Sequence, residues 1–131
     1  MDILLMLHTY FRWIVLFFAI VAIVFAVLTV SGSRPWDALS DRASLIFTIA
    51  LDVQFVIGLL LWVVEQRWQI ADMVTWAHPI AMIVAVALAH VGRSRSDAAK
   101  TDRERGMQAT LFFSASLLII LLAIPWYSWI R

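Results

Sequence analysis

The chain has 131 residues, of which 63% are hydrophobic, and its formal net charge is +1. Its mean hydropathy of +0.90 lies far above that of a soluble domain, which excludes an ordinary soluble enzyme or a nucleic-acid-binding protein. The chain contains no cysteine. This absence excludes a disulfide, a thiolate metal site, a covalently attached c-type haem and a palmitate anchor.

Four apolar segments predict membrane-spanning helices at residues 4–30, 43–64, 74–93 and 107–130. Each reaches the roughly 20 residues that a helix needs to cross the hydrocarbon layer. Short connecting loops predict one all-α transmembrane domain over residues 1–131, an antiparallel four-helix bundle. The N-terminus lacks the basic region and cleavage site of a signal peptide, so we expect the first segment to be retained as a helix.

Basic residues are distributed unevenly over the loops and predict the orientation of the chain. Only Arg67 lies in the second loop, whereas seven basic residues lie in or beside the first and third loops, which are therefore expected in the cytoplasm. Both termini are then expected on the outer side of a bacterial inner membrane. An aromatic belt is expected at the outer interface, made by Trp62, Trp68, Trp76, Trp126, Tyr127 and Trp129.

One charged residue interrupts the first apolar segment. Arg12 lies one helical turn after His8, and a charge inside a membrane helix costs roughly 2.5–3.5 kcal/mol unless it faces a partner. The topology places His8 and His78 at similar depth near the outer interface, on the first and third helices. His90 lies twelve residues beyond His78, about 18 Å deeper and on a different face.

These polar residues allow several interpretations. Two neutral imidazoles facing each other across a bundle could be axial ligands of a haem iron, with Arg12 pairing a haem propionate. The alternatives are that the histidines only anchor the helices at the interface, and that Arg12 forms an ion pair with Asp52. Asp52 could also belong to a proton relay or a quinone site. Gln54 and Gly58 are expected to form a helix-contact stripe, with an interhelical amide bond and a close approach.

The same residues carry a family resemblance. The segments HTYFRW at residues 8–13, QFVIGLLLW at 54–62, HPIAM at 78–82 and VGRS at 91–94 resemble small four-span bacterial membrane proteins known as cytochrome b-like. The resemblance covers all four helices and implies b-type haem, histidine ligation and membrane electron transfer. Members of the group often carry histidine at the positions of Asp52 and near Met107, so here only the outer pair, His8 and His78, remains as a ligand set.

The sequence therefore favours a b-type haem-binding electron-transfer subunit of a larger respiratory or photosynthetic complex. An independent enzyme is not expected, because the chain has no catalytic triad, no phosphate-binding loop and no substrate domain. The alternative is a cofactor-free accessory subunit that contacts lipid, pigment or larger membrane partners. A third possibility is a quinone-binding or proton-linked unit that uses Asp52.

Overall fold

The computed structural model describes residues 3–126, and within that range the chain is helical without strands. Four long helices follow one another: α1 (Ile3–Val30), α2 (Ala38–Val64), α3 (Met73–Ala98) and α4 (Asp102–Ala123). A single 3₁₀ turn, Arg67–Gln69, lies between α2 and α3. All four helices are long and apolar enough to cross a membrane. The predicted all-α fold with four membrane-spanning helices is confirmed.

The helices pack in a ring in which α1 and α3 are diagonal. Both of these helices contact α2 and α4, and the short connections make sequential neighbours antiparallel. One end of the bundle, the tryptophan end, carries Trp62 in ring contact with Trp68 and Trp76 at centroid distances of 5.9 and 5.1 Å. The other, the basic end, carries Arg34, Arg42, Arg93, Arg95, Lys100, Arg103 and Arg105. Tyr127 and Trp129 of the predicted belt lie outside the described residues.

Small side chains line the interior of the bundle. The buried alanines include Ala19, Ala22, Ala26, Ala85, Ala89 and Ala109, which allow the helix backbones to approach closely. Larger rings fill the remaining space, with Phe47 and Phe113 in edge-to-face contact at 5.2 Å. Only 17–33% of each most apolar helical segment is buried within the chain, so most of the apolar surface faces outward. Such a surface is compatible with lipid as its surroundings.

Three helix ends lie five residues beyond the predicted spans: the start of α2, the end of α3 and the start of α4. The reason is that hydropathy marks the part of a helix that crosses the hydrocarbon layer and not the whole helix. The start of α2 is set by Asp37, which accepts a hydrogen bond from the Ser40 amide, and that of α4 by Thr101, which accepts from the Glu104 amide. In contrast, α4 ends at Ala123, well before the predicted residue 130. Pro125 explains this end, since it disfavours helical backbone in the residue before it.

The cap at Asp37 makes a pH-dependent contribution to stability. A hydrogen bond from Arg34, followed by one from the Ser40 amide, lowers the pKa of the Asp37 carboxyl to about 2. Because this pKa is depressed, the stabilisation is fully present above the unfolded value of 3.8 and is lost as the pH falls through about 2. We expect Asp37→Ala to unfold at a lower temperature than the wild type at neutral pH. Thermal scans should show this difference shrinking as the pH falls from about 4 to about 2.

Gly92 sets the closest approach of α3 to α4. A Cβ atom at this position would lie 2.5 Å from the Phe112 Cβ, which is fixed to the backbone and cannot swing away. We expect Gly92→Ala to lower the free energy of unfolding by about 1–3 kcal/mol through overpacking. Denaturant unfolding in detergent measures this, with Ser94→Ala, an exposed position on the same helix, as the matched control. Equal stability of the two variants would show that the helices separate freely here.

Candidate functional site

His8 and His78 meet at the tryptophan end of the bundle. Each lies five residues after the first residue of its helix, Ile3 in α1 and Met73 in α3, so both are about 7.5 Å along their helices. Their ring centroids are 6.1 Å apart and the ring planes are nearly perpendicular, at 88°. The structure therefore brings together the two histidines that the topology placed at one depth, across the diagonal of the bundle.

His8 is positioned by α2. The side-chain amide of Gln54 donates a hydrogen bond of 2.8 Å to the backbone carbonyl of His8, whose oxygen has a second lone pair available beyond the helical bond. One turn further, Gly58 leaves room for the imidazole, because a Cβ there would lie 2.9 Å from His8 Cε1. The expected contact stripe of Gln54 and Gly58 is confirmed, and its partner is His8.

His78 is positioned by α4. Its Nδ1 lies 2.9 Å from the carbonyl oxygen of Ala123, the last residue of that helix. Helix-terminal carbonyls lack an intrahelical partner, and a carbonyl can only accept, so Nδ1 carries the proton. The lone pair of His78 is then on Nε2. This pattern, in which one ring nitrogen donates to a backbone carbonyl, is the one that orients metal-ligating histidines.

Pro79 follows His78 inside the helix, beyond its first turn. The helix begins at Met73 with Asp72 as its N-cap, so Pro79 is the seventh helical residue. Because proline has no amide hydrogen, it cannot donate to the carbonyl of Thr75. The helical hydrogen-bond ladder is therefore interrupted next to His78.

Three buried polar atoms near this site have no hydrogen-bond partner. They are His8 Nδ1, Gln54 Oε1 and Trp62 Nε1. Gln54 and Trp62 belong, with Gly58 between them, to one stripe of α2 at four-residue spacing, the stripe that contacts His8. Buried polar groups are normally paired, so this cluster is chemically suited to a ligand that carries polar groups of its own.

Arg12 lies four residues after His8 on the same side of α1. Its Nε donates a hydrogen bond of 2.7 Å to the carbonyl of Thr9 in its own helix. This hydrogen bond to the backbone holds Arg12 Nε one helical turn deeper in the bundle than the imidazole of His8. A positive charge is thus held on the histidine side of α1.

The expected ion pair between Arg12 and Asp52 is not formed. Asp52 Oδ1 instead lies 2.7 Å from Nε2 of His90 on α3. The reason is helical geometry: Gln54 faces α1, and Asp52, two residues earlier, is rotated by about 200° to another side of α2. This pair was not predicted from the sequence. Asp52 was the one ionisable residue in its span, but nothing in the pattern showed which neighbour it would meet.

The histidine site offers two imidazoles as metal ligands. Among residues 3–126, no three or more histidine, aspartate or glutamate side chains are grouped as a metal site. A haem brings four nitrogens of its own and needs only two axial ligands from the protein. His8 and His78 are two imidazoles, with ring centroids 6.1 Å apart.

Comparisons of the chain with protein-family models, with curated proteins and with solved structures found no match.

Gly58→Ala tests whether α2 sets the position of His8. The added methyl group would occupy the space of the imidazole, so the ring of His8 must move. We expect the ring-nitrogen resonances of His8 to shift in nitrogen-15 NMR spectra, while those of His90 stay unchanged. Val56→Ala, at an exposed position of the same helix, is the control and should shift neither. A spectrum of Gly58→Ala identical to the wild type would contradict the close approach.

Proposed function

We propose that this chain is a b-type haem-binding membrane subunit that carries electrons within a larger respiratory or photosynthetic complex. The proposal rests on the His8–His78 pair, two imidazoles 6.1 Å apart on diagonal helices. When bound, a haem supplies a one-electron carrier. The ligands would be His8 and His78, as the facing helices of a bundle provide in other haem proteins.

The surrounding residues would hold these ligands in place. The carbonyl of Ala123 fixes the proton of His78 on Nδ1 and leaves Nε2 available, while Gln54 and Gly58 hold the backbone and ring of His8. Removal of such a supporting contact typically lowers metal affinity by about tenfold to a hundredfold. Arg12 would supply positive charge for an acidic substituent of the ligand, which reduces the cost of keeping a guanidinium inside the membrane.

The uneven distribution of charge supports an orientation for the bundle. The basic end would face the cytoplasm and the tryptophan end the outer side of a bacterial inner membrane, because short cytoplasmic loops carry the excess of basic residues. The histidine site would then lie near the periplasmic surface. The electron donors and acceptors of the chain would be other subunits of the complex.

A reduced-minus-oxidised absorption spectrum of the purified protein, produced in haem-replete cells, tests the proposal. We expect a sharp b-type α-band in the wild type. His8→Ala and His78→Ala should each lose it, because each removes one of two ligands. His90→Ala is the matched control, since His90 pairs with Asp52 elsewhere, and it should keep the band.

Two results would overturn the assignment: a colourless haem-replete protein, or a band that survives in the His8→Ala, His78→Ala double variant. A colourless chain that still co-purifies with a large membrane complex would identify it as the alternative, a cofactor-free accessory subunit. Circular dichroism should show unchanged helix content in each variant, so that loss of haem is not confused with loss of the fold.

A further inference from the structure

The pair of Asp52 and His90 is an ionisable site inside the membrane-spanning part of the bundle. Asp52 lies 14 residues after Ala38, about 21 Å along α2 from the basic end, and His90 lies eight residues before Ala98, about 12 Å along α3. The two side chains approach to 2.7 Å. Ionisable residues at such depth are costly, and they commonly mark ion or proton pathways.

The pair faces an open seam and not the packed core. The contact between α2 and α3 is the least extensive among the four pairs of neighbouring helices. As a result, the side chains of His90 and Asp52 remain 50% and 43% exposed. Charged groups this accessible need water, or polar groups, to reach them.

A polar face of α3 leads from the pair to the basic end. His90, Arg93, Ser94 and Asp97 follow at helical spacing on one side of α3, and together with Ala98 they line an open, shallow cleft on the surface of that helix. A second cleft, of about 490 Å³, lies between the ends of α2, α3 and α4 and shares Arg93 and Asp97 with the first. A water molecule takes about 30 Å³ in the liquid, so the second cleft has room for several.

Charged side chains of both signs line the two clefts. Arg93 donates hydrogen bonds to the Asp41 carbonyl and the Ser44 hydroxyl, each of 3.2 Å, and lies 3.5 Å from the Asp41 carboxylate. The other charged groups that face the clefts are Asp37 from the start of α2, Asp97 from α3 and Arg105 from α4. Because three carboxylates accompany two guanidiniums, a phosphate headgroup is not favoured, whereas water and protons are.

We propose that these clefts admit water from the basic end and that the Asp52–His90 pair binds a proton from it. The neutral imidazole and the carboxylate together carry one negative charge, and at 2.7 Å the Nε2–H of His90 donates to Asp52 Oδ1. A hydronium ion gives its proton to Nδ1 of His90 and leaves as water, and the pair of imidazolium and carboxylate is then neutral overall. A neutral pair costs less in a low-dielectric surrounding than an isolated carboxylate. This site does not depend on haem at the histidine pair.

Cysteine accessibility tests the water path, and the chain suits it because it contains no cysteine of its own. Ser94→Cys and His90→Cys place a thiol on the polar face. The control is Leu111→Cys, at a position where the side chain is 63% exposed. Leu111 lies nine residues after Asp102, about 13 Å along α4, which is nearly the depth of His90. A membrane-impermeant maleimide, applied to membrane vesicles of either orientation, labels the thiols.

We expect both cleft thiols to react from the side of the basic end, and more than about tenfold faster than the control, because the reactive thiolate forms in water and not in hydrocarbon. His90→Cys decides, because Ser94 lies just beyond the predicted span of residues 74–93. Should His90→Cys fail to fold, Asp52→Cys, on the α2 side of the pair, takes its place. Labelling no faster than at Leu111→Cys overturns the proposal. So does protection of Ser94→Cys by a second copy of the chain, seen as a disulfide-linked dimer, since the face would then be an interface.

Proton binding itself is followed on the wild type and on Asp52→Asn. We expect the nitrogen-15 ring signals of His90 in the wild type to show Nε2–H in a hydrogen bond to a carboxylate. In Asp52→Asn the carboxylate acceptor is absent, so the Nε2 signal changes. Identical Nε2 signals in the two proteins contradict a shared proton.

Discussion

Gln54 donates a hydrogen bond across the bundle to the backbone carbonyl of His8, and Gly58 leaves space for the ring one turn away. Inside a membrane, each helix satisfies its own backbone, so few polar contacts remain to fix one helix against another. This contact sets the register of α1 against α2. The position of the imidazole relative to His78 depends on it, and so does every chemical use of the pair.

The two halves of the bundle differ in their chemistry. At the tryptophan end, diagonal helices bring two imidazoles together, and the end of α4 orients His78 through the carbonyl of Ala123. Towards the basic end, the loose seam between α2 and α3 leaves the Asp52–His90 pair open to polar clefts. Small residues pack the interior of the bundle, where Ala19, Ala22 and Ala85 are almost completely buried.

Sequence patterns predicted the helices and part of the site for identifiable reasons. Apolar runs of sufficient length identify membrane helices, and alternating direction places residues 8 and 78 at the same end. Helix ends were less predictable, because caps such as Asp37 and Thr101 lie outside the apolar runs. Asp52 was assigned the wrong neighbour, since depth alone does not say which side of a helix faces which partner.

By itself, the sequence determined that the chain is an all-helical, multi-pass membrane protein, and that His8 and His78 lie at one depth while His90 does not. These properties follow from hydropathy and from distance along the chain. Only the tertiary structure decided that the histidines face each other across the diagonal, that Gln54 and Gly58 contact His8, and that Asp52 pairs with His90. The reason is that rotation of each helix about its axis is set by packing between helices, which no single segment encodes.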